Sequence, residues 1–250
     1  MPVKIAMKNY IILLTNDDGY KAKGLLTLYS VLKTVYKVYV CAPLTEQSGC
    51  SHSLTLRKPI KVKRIKPNFY AIDGTPTDCV LLSHHHLLKE SPDLLISGIN
   101  HGPNMGDDVF YSGTVAAAIQ GALLGIPSLA VSLAGENLRN FKYAATWTKK
   151  FLRTHLPNLA RSEILNINIP EGVASKAVIT RLGKRIYQDE VVKKNGPDGM
   201  VYCVIDGTLS FRVDEGTDFK AIADGIVSIT PLNLDLTDHR KILSYPNSIS

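Results

Sequence analysis

No Cys-x-x-Cys pair occurs in this 250-residue chain, and its four cysteines, Cys41, Cys50, Cys79 and Cys203, are scattered. That excludes a disulfide framework and a thiolate zinc ribbon, and reduced thiols in a cytoplasmic protein are the simplest account. No run of about eighteen apolar residues is present, so no membrane-spanning helix is expected. The stretch before Tyr10 carries Lys4 and Lys8 but no apolar core. It reads as a short extension rather than a secretion signal. Gly-x-Gly-x-x-Gly is missing, which argues against a dinucleotide cofactor. There is no internal repeat and no low-complexity tract.

What is present is ordinary for a soluble globular chain: 45% hydrophobic and 20% charged residues, enough for one large domain with an appendage or two small ones. The formal charge of +7 suits an anionic ligand or nucleic acid equally. Much of it sits in one segment, where Arg57, Lys58, Lys61, Lys63, Arg64 and Lys66 alternate loosely with Ile60, Val62 and Ile65. A strand with one solvated basic face accounts for this pattern. No aromatic residues interleave, which weakens the case for a single-strand nucleic-acid platform.

The apolar run Ile11-Ile-Leu-Leu-Thr15 predicts a buried strand of a parallel sheet, ending in the polar turn Asn16-Asp-Asp-Gly19. Residues 24–36 place Leu25, Leu28, Leu32 and Val35 on one helical face, and residues 37–43 read as a second strand. Strand, helix, strand is a βαβ unit, so the loop 45–53 opens on the same crevice as Asp17 and Asp18. Residues 57–74 predict a hairpin, and Thr75 or Thr77 a cap for a helix through Leu88. That helix carries His84, His85 and His86, which point three ways and suit a surface rather than one ion. Further strands are expected at 93–99, 128–132 and 164–169, and helices at 112–125 and 143–155. Beyond Pro170 the pattern changes to short strands at 178–182, 201–205 and 226–230, a β-rich appendage. Asp235 and His239 are spaced to interact if their segment is helical. The division expected is an extension (1–9), an α/β core (10–175), and a β-rich extension with a tail (176–250).

Three loops after successive buried strands thus present Asp17-Asp18, Ser48-Gly49 and Asn100. Alone, Asp-Asp-Gly is equally a turn before a helix, and Ser112-Gly-Thr114 equally a plain N-cap. Together they form a set of oxygen ligands that suits Mg²⁺, Mn²⁺ or Ca²⁺ rather than zinc. Two carboxylates neutralise a divalent ion, while Ser48 and Asn100 add ligands without charge, so a phosphate dianion can approach. The helix start at Ser112, Gly113 and Thr114 offers N–H and O–H donors to that anion. Uncatalysed phosphate-monoester hydrolysis is so slow that enzymes accelerate it by up to roughly 10²¹. One well-placed donor contributes only about 2.7–4 kcal/mol. A cation that orients the ester and acidifies a water supplies the difference. Asp-x-Asp, with which some phosphatases form an aspartyl-phosphate, is absent, so direct attack by water is favoured.

The motifs as a set resemble those of the SurE family (survival protein E) of metal-dependent nucleotidases. They are Ile12-Leu-Leu-Thr-Asn-Asp-Asp-Gly19, Glu46-Gln-Ser-Gly49, Asp73-Gly-Thr-Pro-Thr-Asp78, Ser97-Gly-Ile-Asn-His-Gly102 and Gly106-Asp-Asp-Val-Phe-Tyr-Ser-Gly-Thr114. Glu215-Gly-Thr-Asp218 and Asp235-Leu-Thr237 extend the match, so it covers about residues 10–240. The resemblance implies a Rossmann-like three-layer α/β domain with a mainly parallel sheet and a C-terminal β extension exchanged between subunits. It implies a homodimer or homotetramer that hydrolyses nucleoside 5′- and 3′-monophosphates and sometimes short polyphosphate. Carried over by motif, Asp17, Asp18, Ser48 and Asn100 hold one Mg²⁺ or Mn²⁺ per subunit, with Ca²⁺ as an inactive occupant. Asp17 and Asp18 are thereby the catalytic pair, and Gly49, Ser112, Gly113 and Thr114 are the phosphate contacts. One departure is Tyr20-Lys-Ala-Lys-Gly24, where the family more often has an Ile/Val-x-Ala-Pro-Gly type of sequence.

Two other readings compete. One is a non-catalytic nucleotide- or RNA-binding protein using the basic strand 57–66, whose binding would fall steeply with salt. The other is a sugar-nucleotide transferase, whose metal is also held by paired carboxylates. With hydrolysis favoured, no membrane and no stable nucleic-acid partner is expected.

Overall fold

Four apolar residues and a threonine make β1 (Ile11–Thr15), every residue of which is buried. The computed structural model describes residues 10–135, 137, 139–196, 198–242 and 244. After β1 come α1 (Lys23–Leu32), β2 (Lys37–Pro43) and the hairpin β3 (Val62–Lys66) and β4 (Phe69–Ile72). Then follow α2 (Pro76–Leu82), β5 (Leu94–His101), α3 (Gly113–Leu123), β6 (Ser128–Ala134), α4 (Phe141–His155) and β7 (Ile164–Pro170). The last part holds β8 (Ala177–Ile179), β9 (Arg185–Asn195), β10 (Val201–Phe211), α5 (Asp218–Ala223), β11 (Val227–Leu232) and α6 (His239–Ile242).

Nine strands form one sheet in the order β3-β4-β2-β1-β5-β6-β7-β11-β8. Only β3 against β4 and β11 against β7 run antiparallel. The two-residue period of a strand divides β1 between two cores. Ile12 and Leu14 pack with Leu25, Leu28 and Leu32 of α1 and with Ala144 and Leu152 of α4. Ile11 and Leu13 pack on the other face with Val80 of α2 and with Val115, Ala118 and Ala122 of α3. This is the mainly parallel three-layer α/β sandwich expected. Each fully buried Leu or Ile contributes about 2 kcal/mol by removal from water.

Contacts at two glycines set how closely helices approach the site. A Cβ at Gly24 would lie 1.9 Å from the Ile99 carbonyl oxygen, so only glycine lets the first turn of α1 press on β5. A Cβ at Gly113 would lie 2.9 Å from the Asp17 Cβ, so the start of α3 abuts the loop after β1.

The expected helix at 75–88 begins with Thr75 as N-cap in a reciprocal capping box with Asp78. Its last turn, Ser83–Leu87, widens to a π-helical form, with His85 and His86 exposed. Both faces of β3 are solvated rather than one, because β3 is the outermost strand and no helix covers it. A lysine-rich edge of this kind discourages pairing with another sheet. In the C-terminal part, β11 and β8 return to the main sheet, whereas β9 and β10 pair only with each other as a long hairpin, from Arg185↔Phe211 to Asn195↔Val201. Asp235 Oδ2 lies 2.5 Å from His239 Nε2 at the start of α6. Among the described residues no helix is long and apolar enough to cross a membrane.

Candidate active site

The strand order reverses about β1, with β2 on one side and β5 on the other. Open α/β sheets place their ligand crevice at such a reversal, beyond the carboxyl ends of the strands. A cleft of about 480 Å³ lies here. Asp17 and Asp18 follow β1, Ser48 and Gly49 follow β2, Asn100 lies near the end of β5, and Ser112 caps α3; all six line the cleft. Backbone bonds tie the loops together, from Gln47 N–H to the Asp17 carbonyl (2.8 Å) and from Tyr20 N–H to the Pro43 carbonyl (2.9 Å). Two larger grooves, of about 630 and 670 Å³, lie by α4 and by α3. Neither is lined by a carboxylate, so chemistry rather than size selects the site.

Asp17 is only 5% exposed. Burial raises its pKa, opposed by hydrogen bonds from the Thr114 hydroxyl and the Thr114 backbone N–H. Asp18 is pushed up to about 7, first by burial and then by the charge of Asp17. Its Oδ2 is buried with no hydrogen-bond partner. The nearest imidazole, Nδ1 of His101, lies 3.5 Å from Asp18 Oδ1, but burial lowers the His101 pKa, so the ring is neutral at pH 7. The cleft's one guanidinium, Arg185, is already paired with Asp108. Two adjoining buried carboxylates therefore lie here with no protein cation among the described residues to offset them, which is costly unless a bound ion does so.

The donor set fits such an ion. Asn100 Nδ2 donates to the Gly102 carbonyl at 3.0 Å, which leaves Oδ1 for another partner. Ser48 donates to Glu46 Oε1 at 2.7 Å and keeps its oxygen lone pairs. Among the described residues no cluster of three or more His, Cys, Asp or Glu side chains could hold a metal. A cation here would rest on two carboxylates completed by neutral oxygens, the composition that hard cations accept.

The helix start expected to meet phosphate is partly occupied by the protein itself. Thr114 is fully buried, and its hydroxyl donates to Asp17 rather than to the cleft. Gly113 packs behind Asp17. Ser112 and Gly49 do face the cleft. Ser112 Oγ accepts from Val115 N–H at 3.1 Å, so its hydroxyl proton remains available. The basic strand β3 does not line the cleft.

Several lining residues carried no motif of their own. Asn104 is held by Asn168 and Ser132 (both 2.9 Å), a buried polar network that fixes the loop after β5. The asparagines inside the apolar run of β7 were its signal. Arg185 and Tyr187 reach the cleft from the base of the β9–β10 hairpin. Nothing local in the sequence pairs them with Asp108.

A family model described as survival protein SurE matches residues 12–189. The chain belongs to the SurE family. The matched span includes every cleft residue named above, from Asp17 to Tyr187. A protein named 5′-nucleotidase SurE from Geobacter metallireducens is 45% identical over 237 residues, covering 92% of this chain and 94% of that protein. Another 5′-nucleotidase SurE, from Pelobacter propionicus, is 48% identical over 234 residues, covering 91% of this chain and 95% of that one. The crystal structure of the SurE protein from Aquifex aeolicus is 40% identical and superposes with a TM-score of 0.84, covering 94% of this chain and 97% of that chain.

Proposed function

We propose that this chain is a divalent-cation-dependent phosphomonoesterase that hydrolyses nucleoside 5′-monophosphates, with 3′-monophosphates and short polyphosphate as further substrates of the same centre. One observation carries the reading: adjoining carboxylates, buried with no protein cation among the described residues, at the reversal point of a parallel sheet. The relatives named 5′-nucleotidase SurE supply the substrate class.

Asp17 and Asp18, with the oxygens of Ser48 and Asn100, are the residues that would hold one Mg²⁺ or Mn²⁺ per subunit, with Ca²⁺ as an occupant that does not support turnover. When bound, such an ion offsets the charge of the ester and acidifies a water molecule. The chain's own groups do the rest. The Ser112 hydroxyl and the Gly49 backbone N–H donate to phosphoryl oxygens, and the N-terminus of α3 adds a favourable field. The Thr114 hydroxyl aims Asp17 and favours its ionised form against the effect of burial, and Gly113 lets α3 come close enough for that bond. Neutral His101, beside Asp18, adds no competing positive charge. The chain acts as a cytoplasmic homodimer or homotetramer in which the β9–β10 hairpin is exchanged between subunits.

The test is phosphate release from a nucleoside 5′-monophosphate by protein stripped with chelator. Release should fall at least about 10³-fold on stripping and return with Mg²⁺ or Mn²⁺. Turnover indifferent to chelation would overturn the reading.

A further inference from the structure

We propose that Tyr111 and Tyr187 form the nucleoside-binding wall of the cleft, holding the base by stacking rather than by reading its edges; this rests on the nucleotidase reading above. The phosphate end of the cleft is built of carboxylates, hydroxyls and amide groups, with the His101 ring beside Asp18 packed on Phe141. The same cleft is also lined by two well-exposed phenol rings, Tyr111 at 61% and Tyr187 at 37% exposure. Large exposed aromatics contribute little to the fold and are the usual sequence-tolerant platform for nucleobases.

The second ring is held in place before any ligand arrives. The Tyr187 hydroxyl donates to Asp108 Oδ1. Arg185 Nε donates to Asp108 Oδ2 at 2.9 Å, and its guanidinium lies 5.4 Å from the Phe219 ring centroid. Phe219 in turn stacks on Phe211 at 4.8 Å. Asp108 is thus a positioning residue, and the ordering cost of Tyr187 is met in the free protein.

Four of the polar side chains that line the cleft are engaged elsewhere. Asn104 Nδ2 donates to Ser132 Oγ at 2.9 Å, Arg185 and the Tyr187 hydroxyl serve Asp108, and Glu46 accepts from Ser48. Recognition by stacking alone follows ring area, so purines are favoured over pyrimidines while adenine and guanine are treated alike.

The experiment compares AMP, GMP, UMP and ribose 5-phosphate with Mg²⁺ for wild type, Tyr111→Ala, Tyr187→Ala and Tyr187→Phe. Each alanine variant should raise KM for AMP about tenfold with kcat within about twofold of wild type. Ribose 5-phosphate kinetics should be unchanged, and Tyr187→Phe should stay within about threefold of wild type on AMP. Saturation-transfer NMR in chelator should give an adenosine signal with wild type that is lost in the double alanine variant. Unchanged KM for AMP in both alanine variants, an equal loss on ribose 5-phosphate, or an undiminished adenosine signal in the double variant would overturn the inference and leave the nucleotidase reading standing. Absence of phosphate release from every substrate by wild type would overturn both.

Discussion

Asp18 combines two penalties: a carboxylate oxygen buried without a partner, and the charge of Asp17 beside it. Its pKa is raised from 3.8 to about 7. An acid raised in the folded state binds its proton longer there than in the unfolded chain. Stability without a cation therefore falls as pH climbs from about 4 to about 7. Cation binding expels that proton, so cation affinity should rise over the same window. Asp18→Asn removes the charge and keeps the shape. In chelator at about pH 8 it should be more stable than wild type by about 2 kcal/mol, roughly 4–8 °C in Tm, with the advantage gone below about pH 4. The figure takes about half of the full shift, because the new amide inherits the unpartnered oxygen's site. The same variant should lose stabilisation by Mg²⁺ and nearly all phosphate release. Thermal melts across pH, with chelator and with Mg²⁺, check this; a variant less stable than wild type in chelator at pH 8 would contradict it. The candidate ligands at this scale were legible because a buried strand closed by a polar turn names its own crevice. The double use of Thr114, an N-terminal helix residue that serves Asp17 rather than the cleft, was not. It depends on how close Gly113 lets two distant segments come, and no local pattern encodes that distance.

The elements divide by whether their residues have a face to bury. β1, β2, β5, β6 and β7 are buried strands rich in apolar residues, and the sequence betrays them because both faces lie under helices. β9, with the sequence RIYQDEVVKKN, pairs only with β10 and meets the core at its base through Arg185 and Tyr187, so it shows no alternation to read. Its partner β10 was only half anticipated, and the strand's role in bringing Tyr187 to the cleft was invisible. Helix α3 shows the functional side of the same principle. Its run of small residues lets its start abut the loop after β1, and the Thr114 hydroxyl converts that proximity into a hydrogen bond to Asp17. Thr114→Val keeps the volume and removes the hydroxyl donor. Supports of this kind around a metal ligand are worth about 10–100-fold in affinity. The variant should therefore need about tenfold more Mg²⁺ for half-maximal phosphate release, with kcat at saturating Mg²⁺ close to wild type. A metal titration of the rate measures both. An unshifted midpoint would mean that Asp17 holds its place without Thr114.

For the whole molecule the unsolved surface is the hairpin. A lone two-stranded ribbon is at best marginally stable in water, yet β9 and β10 pair over eleven residues each. Its base is secured by buried Asp218, which accepts from the backbone N–H groups of Gly106 and Gly183 at 2.8 Å. Farther along, Val191, Met200, Val201, Tyr202 and Val204 are all more than half exposed. Several apolar residues on one unsupported ribbon make a surface that wants cover. A second copy of the chain offering its own hairpin satisfies that need by symmetry. Base and tip should then be separable: the base shapes the nucleoside wall, and the tip joins subunits. Deleting residues 190–206 and joining Asp189 to Gly207 through an Asn-Gly turn keeps Arg185, Tyr187 and their cross-strand partners Phe211 and Leu209. Light scattering should give at least twice the chain mass for wild type and a single chain mass for the shortened protein. Its kcat/KM on AMP should stay within about tenfold of wild type, because every cleft residue is retained. A monomeric wild type would remove the hairpin's role in assembly. A shortened protein that still associates would move the interface elsewhere on the surface, with the apolar groove beside α3 the next place to look.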